Sequence, residues 1–157
     1  MRKSVLEPPA QAQSQPEENW LDIERLASVQ VTSEDPAFLI ESAFRSGAGG
    51  GWRASKEGEQ VVRLVFDAPQ TLHRIWLRFS EAELARTQQF TLRWCGVGAQ
   101  TFREIVRQQW NFSPGASTEE GEDYRVNLNG VSTLELAVQP EITAGQAIAT
   151  LAGWRVA

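Results

Sequence analysis

The stretch Gln88-Gln89-Phe90-Thr91-Leu92-Arg93-Trp94 decides the fold class. Phe90, Leu92 and Trp94 fall on one side of an extended chain, and Gln89, Thr91 and Arg93 on the other. Successive side chains of a strand point to opposite faces, so this alternation describes a ribbon buried on one side and wet on the other. The same two-residue period recurs on both flanks. Upstream, Gln60 to Phe66 sets Val62, Leu64 and Phe66 against Val61, Arg63 and Val65. Leu72 to Phe79 sets Ile75, Leu77 and Phe79 against Arg74, Trp76 and Arg78. Downstream come Phe102 to Trp110, the alternating Tyr124, Val126 and Leu128, then Leu134, Leu136 and Val138, and a closing run from Ala147 to Val156. Asp67-Ala68-Pro69-Gln70 and Gly96-Val97-Gly98-Ala99 read as turns, and Asn129-Gly130 carries the strongest short hairpin signal. Asn111 to Asp123, with Pro114, Gly115, Ser117 and Gly121, reads as a long loop. About eight short strands at turn spacing, with no β-α-β rhythm, predict an all-β sandwich or barrel.

The remaining segments are less regular. Trp20 to Leu26 reads as a short helix or an entry strand, and Ala27 to Ser33 alternates around Val29 and Val31. Asp35-Pro36-Ala37-Phe38-Leu39-Ile40 predicts a helical turn, with Asp35 as N-cap and Pro36 at the first helical position. Residues 80–86 predict one further turn in a connection. Ser46 to Gly51 is glycine-rich but lacks the Gly-Lys-Ser/Thr ending of a phosphate-binding loop. Residues 1–19, with Pro8, Pro9 and Pro16 and few large apolar side chains, predict a flexible tail ahead of a single domain at 20–157. That tail has no apolar core of the kind a secretory signal carries, which sets a cytoplasmic expectation.

Composition excludes several classes of function. The chain has 157 residues, is 41% hydrophobic and carries a net charge of −5. It has no apolar run long enough for a membrane span. Its net charge opposes general nucleic-acid binding. Its basic residues are thirteen arginines and two lysines, and six tryptophans are scattered through it. The single Cys95 and single His73 exclude a disulfide framework and a histidine-rich metal site.

Taken in order, these pieces resemble a known family. Ser42-Ala43-Phe44, the glycine-rich loop and Trp52-Arg53-Ala54-Ser55 are followed by Gln60 to Phe66 and Ile75-Trp76-Leu77. Phe90 to Trp94, Phe102-Arg103-Glu104-Ile105, Tyr124-Arg125-Val126, Leu134 to Val138 and Ala152-Gly153-Trp154-Arg155-Val156 complete the series. The order and spacing, over about residues 27–156, resemble the discoidin, or coagulation-factor type-C, group of galactose-binding-like jelly rolls. The resemblance implies a jelly-roll β-sandwich of about eight antiparallel strands with one or two short helical turns. It also implies non-catalytic carbohydrate binding by loops at one end of the sandwich. Such domains often hold a structural calcium through an Asp-Gly pair and a Glu in the last strand. Here Arg45-Ser46 and Gly153 stand at those places, and a cation opposes calcium, so no metal and no cofactor are expected.

Catalysis finds little support in the residues. Cys95 and His73 lie at the ends of different strands without a third orienting group. The carboxylate pairs Glu81 and Glu83, Glu119 and Glu120, and Glu122 and Asp123 fall in predicted loops, where charges are solvated and pKa values ordinary. Binding is better supported. Arg45, Trp52 and Arg53 flank the glycine-rich loop, and Trp110, Asn111 and Phe112 open the long one. Aromatic faces suit the C–H side of a sugar ring, and planar polar groups suit its hydroxyls. Core packing is the commoner role of the Trp52 position. A second candidate is a sheet face of Arg63, Arg74, Trp76, Arg78 and Arg93, a combination suited to an anionic or protein partner. The alternative there is a solvated face with cross-strand Arg–Glu pairs. Carbohydrate or a protein is therefore the expected partner, with no nucleic acid and no membrane, and the sequence sets no oligomeric state.

Overall fold

The structure is a computed structural model, described here over residues 1–4, 16–45, 50–143 and 146–157. Two short helices, α1 (Ile23–Leu26) and α2 (Glu41–Phe44), accompany eight strands. The strands are β1 (Ala27–Val31), β2 (Trp52–Glu57), β3 (Gln60–Ser80), β4 (Arg86–Gly96), β5 (Arg103–Phe112), β6 (Glu119–Gln139), β7 (Ile148–Leu151) and β8 (Gly153–Val156). All pairings are antiparallel. The main sheet runs β1-β3-β6-β4-β5 with β8 added on β3, and β2 pairs β7 separately.

The architecture rests on two long strands. β3 and β6 pair along their whole lengths, and the register shifts between Val65 and Arg74. On one side of that bend, Gln60–Val65 pairs Thr133–Val138 and continues to β1, β4 and β5. On the other side, Arg74–Ser80 pairs Glu119–Arg125 and continues to β8. The two halves close on each other as layers of a sandwich. Phe79 of one half stacks on Phe90 of the other at 5.2 Å between ring centroids. Such a pair adds about 0.5–1.5 kcal/mol to the area it buries. Val62, Leu64, Leu72, Ile75, Leu77, Leu92, Leu134, Leu136 and Trp154 fill the space between the layers.

The bend corrects two expectations. Asp67 to Gln70 does not reverse the chain but stays in β3 as part of its irregular stretch. Asn129-Gly130 is not a hairpin, because β6 runs through it. Gly130 still adopts φ 69°, the left-handed conformation that makes Asn-Gly a turn signal. Here that conformation serves to kink a strand opposite the irregular stretch of its partner, where Gln70 pairs Val131. The long loop is also shorter than expected. β5 extends to Phe112 and β6 starts at Glu119, so only residues 113–118 connect them.

The other local expectations divide. α1 forms within the Trp20–Leu26 segment. Asp35 to Phe38 is a single turn, with the Ala37 N–H donating to Asp35 Oδ1 at 2.9 Å, and the helix comes later, at α2. Residues 81–85 form bends without a helical turn. Phe90 and Leu92 are fully buried, and Trp94 is half-buried at the edge of the core. Most of the glycine-rich loop and residues 5–15 of the expected tail lie outside the described residues. Within that tail, Glu18 reaches Arg74 at 3.3 Å, so the chain is already held against the body before residue 20. No helix among the described residues is long and apolar enough to cross a membrane.

Candidate functional site

The bend places several connections at one end of the sandwich, held together by backbone hydrogen bonds. The segment after β1 joins β2 through Asp35 N–H to Arg53 O (2.8 Å) and Arg53 N–H to Phe38 O (3.2 Å). The β3–β4 and β5–β6 connections meet through Glu81 N–H to Thr118 O (2.8 Å), and the β6–β7 connection reaches Thr87 through Ile142 N–H (3.0 Å). Between them opens a cleft of about 510 Å³. Its walls carry Phe38, Arg53, Arg78, Ser80, Glu83 and Leu84.

Each wall has a local cause. Phe38 stands on the Asp35 turn, and Gly50 lets its ring approach, since a Cβ there would lie 3.0 Å from the ring. The Arg53 guanidinium sits 5.7 Å from the Phe38 ring centroid. No carboxylate among the described residues lies within ion-pair distance of it. Arg78 has Glu119 at 3.7 Å, beyond hydrogen-bond reach, because that carboxylate accepts from Ser80 Oγ at 2.9 Å. The Arg78 Nε–H is buried without an acceptor. Trp52 lies beneath the cleft, 1% exposed, with its indole N–H donating to Ser33 O at 3.2 Å.

The β3–β4 connection is anchored from inside. Arg86 is buried and donates Nε to Glu81 Oε1 (2.7 Å), and Nη1 to Pro140 O (2.8 Å) and Gln88 Oε1 (3.1 Å). Its guanidinium also lies 4.8 Å from the Phe112 ring centroid. Burial pushes the Glu81 carboxyl up. Arg86 and the backbone N–H groups of Glu83 and Leu84 outweigh that, so Glu81 titrates below its ordinary range. The network continues inward. Gln88 donates to Glu120 Oε1 at 3.1 Å, and Glu120 is fully buried. Burial foremost, then the neighbouring Glu122, push the Glu120 carboxyl up to about 8, against Gln88 and Arg86. The expectation that these carboxylates are solvated loop charges is therefore corrected at Glu120, which β6 points between the layers.

The six loop candidates separate into three places. Trp52 and Arg53 belong to the cleft, Trp52 as its floor. Arg45 is elsewhere, paired with Glu24 at 2.7 Å beside Trp20 and Phe44. Trp110 and Asn111 line a different hollow with Gln108, Gln109 and Ser117. Both are strand residues, and Asn111 Oδ1 accepts from Thr87 Oγ1 at 2.6 Å. Phe112 is 2% exposed, a core residue under Arg86. Phe38 and Leu84 were missed, and Glu81 and Glu83 were named only as a solvated carboxylate pair. Phe38 is half-buried, and nothing in Asp35-Pro36-Ala37-Phe38 ties that turn to β2 before the backbone bonds to Arg53 are seen.

The proposed Arg/Trp face is not assembled. Arg74 and Trp76 are 8% and 4% exposed, not open to solvent. Arg74 is held by Asp123 at 2.8 Å and by Glu18, with the Trp20 ring 5.5 Å away. The Trp76 ring lies across Gly153, where a Cβ would come within 2.7 Å of it. Arg63 and Arg93 lie on the other layer, both paired with the buried Glu135 and both near the Phe102 ring. That is the cross-strand pairing the sequence offered as the alternative. Arg78 alone of the five turns into the cleft. Cys95 contacts Ser132 Oγ at 3.7 Å, and His73 lies beside the chain's last residue. Among the described residues, no three His, Cys, Asp or Glu side chains gather to hold a metal.

No family model matches the chain, and no curated protein matches its sequence. Solved structures do match over most of it. The chain is similar to CpGH89CBM32-5 from Clostridium perfringens, in complex with GalNAc-β-1,3-galactose, at 19% identity and a TM-score of 0.62, over 88% of this chain and 99% of that one. It is also similar to the family 32 carbohydrate-binding module of C. perfringens NanJ in complex with galactose, at 11% identity and a TM-score of 0.61, covering 87% and 96%. A pectin binding carbohydrate binding module matches at 15% identity and a TM-score of 0.60, covering 84% and 90%. At these identities the likeness is one of fold: the chain adopts the galactose-binding-like jelly roll seen in carbohydrate-binding modules of family 32.

Proposed function

We propose that the chain is a carbohydrate-binding module that grips its ligand in the loop-end cleft, without metal or cofactor. The observation that carries this is the pairing of an aromatic ring, Phe38, with a guanidinium, Arg53, in a cleft walled by hydroxyl and charged groups. A pyranose offers an apolar C–H face and a rim of hydroxyls, and this arrangement answers both. At about 510 Å³ the cleft falls within the range of ordinary ligand pockets, about 300–1,000 Å³. Support also comes from solved structures of the same fold, which include complexes with GalNAc-β-1,3-galactose and with galactose and a pectin binding module. Fold alone does not carry function, so the residues of the cleft bear the weight. The protein-interaction reading loses its basis with the burial of Arg74 and Trp76.

The test is a glycan array probed with the chain and with Phe38→Ala and Arg53→Ala, each variant first checked for an unchanged melting profile. At least one glycan family should bind, at least tenfold more weakly to each variant. An array with no bound glycan, or binding indifferent to both substitutions, overturns the proposal.

A further inference from the structure

We infer that the cleft selects a carboxylate-bearing sugar, a uronic acid, over its neutral counterpart. This rests on the carbohydrate reading above and names the ligand class of that same cleft. The argument is one of uncommitted charge. Across the described residues, Arg25, Arg45, Arg63, Arg74, Arg86, Arg93, Arg107 and Arg125 each have a carboxylate within ion-pair distance. Arg53, like Arg2, Arg103 and Arg155, has none among the described residues, although the chain carries five more negative than positive charges; of these four, Arg53 alone lines the cleft. It presents its guanidinium to the cleft beside Phe38. Arg78 lines the same cleft with its acid 3.7 Å away and its Nε–H buried without an acceptor. A planar guanidinium matches the two oxygens of a carboxylate, so an uncommitted arginine in a cleft is a carboxylate receptor before it is a hydroxyl donor.

The acids of the cleft are consistent with this division. Glu81 is committed to Arg86 and to the turn it caps. Glu83 is exposed on the rim and in no ion pair among the described residues. It repels an anionic ligand weakly from the edge, which makes it a second handle on the sign of the ligand charge.

The experiment measures binding to trisaccharides of galacturonate, mannuronate and glucuronate, to the methyl ester of each, and to galactotriose, mannotriose and glucotriose. The methyl esters keep the ring and remove the charge. At least one acid form should bind at least tenfold more tightly than its ester. Arg53→Gln should remove most of that difference, Arg78→Gln should reduce it, and Glu83→Gln should strengthen the acid form about twofold while leaving esters unchanged. Added salt should weaken the acid form alone. Esters or neutral trisaccharides that bind as tightly as the acids overturn the uronate inference and leave the carbohydrate reading standing. If nothing in this panel or on the glycan array binds, both fall.

Discussion

Glu120 shows what one residue's surroundings do to its chemistry. It stands on a strand whose sequence, Glu119-Glu120-Gly121-Glu122-Asp123, reads as a solvated acidic run, yet its side chain is fully buried between the layers. Its pKa is raised from 4.5 to about 8, by burial first and then by Glu122. An acid with a higher pKa folded than unfolded keeps its proton in the native chain while the unfolded chain releases it. Stability then falls as pH rises from about 4.5 to about 8 and levels off above that. Glu120→Gln, which mimics the protonated carboxyl, should stabilise the chain by on the order of 1–2 kcal/mol at pH 8.5 and by nearly nothing at pH 4. Urea unfolding of both proteins at the two pH values checks this. An equal effect at both would mean that the carboxyl is not held neutral.

At the scale of elements, Arg86 ties strands and connections together. From the first residue of β4 it holds the β3–β4 connection at Glu81, the end of β6 at Pro140, and Gln88 on its own strand. Removing one partner of a buried ion pair costs more than the pair contributes, because the partner's charge and the polar groups around it lose their contacts. Arg86→Ala should therefore destabilise by about 3 kcal/mol. It should also speed amide hydrogen exchange at Glu83, whose N–H is held by Glu81 at 3.2 Å. A loss below about 1 kcal/mol with unchanged exchange would show that the connection is positioned by its backbone alone. The two-residue alternation of β4 and β3 was legible because burial on one face leaves that imprint in any strand. The kink at Asn129-Gly130 was legible only as a backbone conformation. A glycine at positive φ permits a reversal or a bulge equally, and the partner strand selects between them.

At the scale of the whole molecule, the cleft is assembled from connections far apart in sequence and anchored to the sandwich. A ligand that binds only this arrangement stabilises the entire fold by mass action. A bound sugar at one hundred times its dissociation constant should raise the unfolding free energy by about 2.7 kcal/mol. A thermal melt with and without that ligand measures it, and Arg53→Gln should reduce the shift at the same concentration. A ligand that binds without moving the melt would be held equally by the unfolded chain. Arg53 and Trp52 could be nominated from sequence because both adjoin a loop in the order of strands. Phe38 could not, because only the Asp35–Arg53 and Arg53–Phe38 backbone bonds bring its turn to the same wall.

The amino-acid order by itself determined that the chain is a stack of strands and which side of most strands is dry. Those properties are local, set by alternation. Only the tertiary structure decided that β3 and β6 cross both layers, that Arg74, Trp76 and Glu120 lie buried, and that Arg53 faces a cleft with its charge unanswered. Burial and ion pairing depend on what lies opposite, and in an antiparallel sandwich the opposite residue is commonly fifty or more positions away, as Arg63 and Glu135 are.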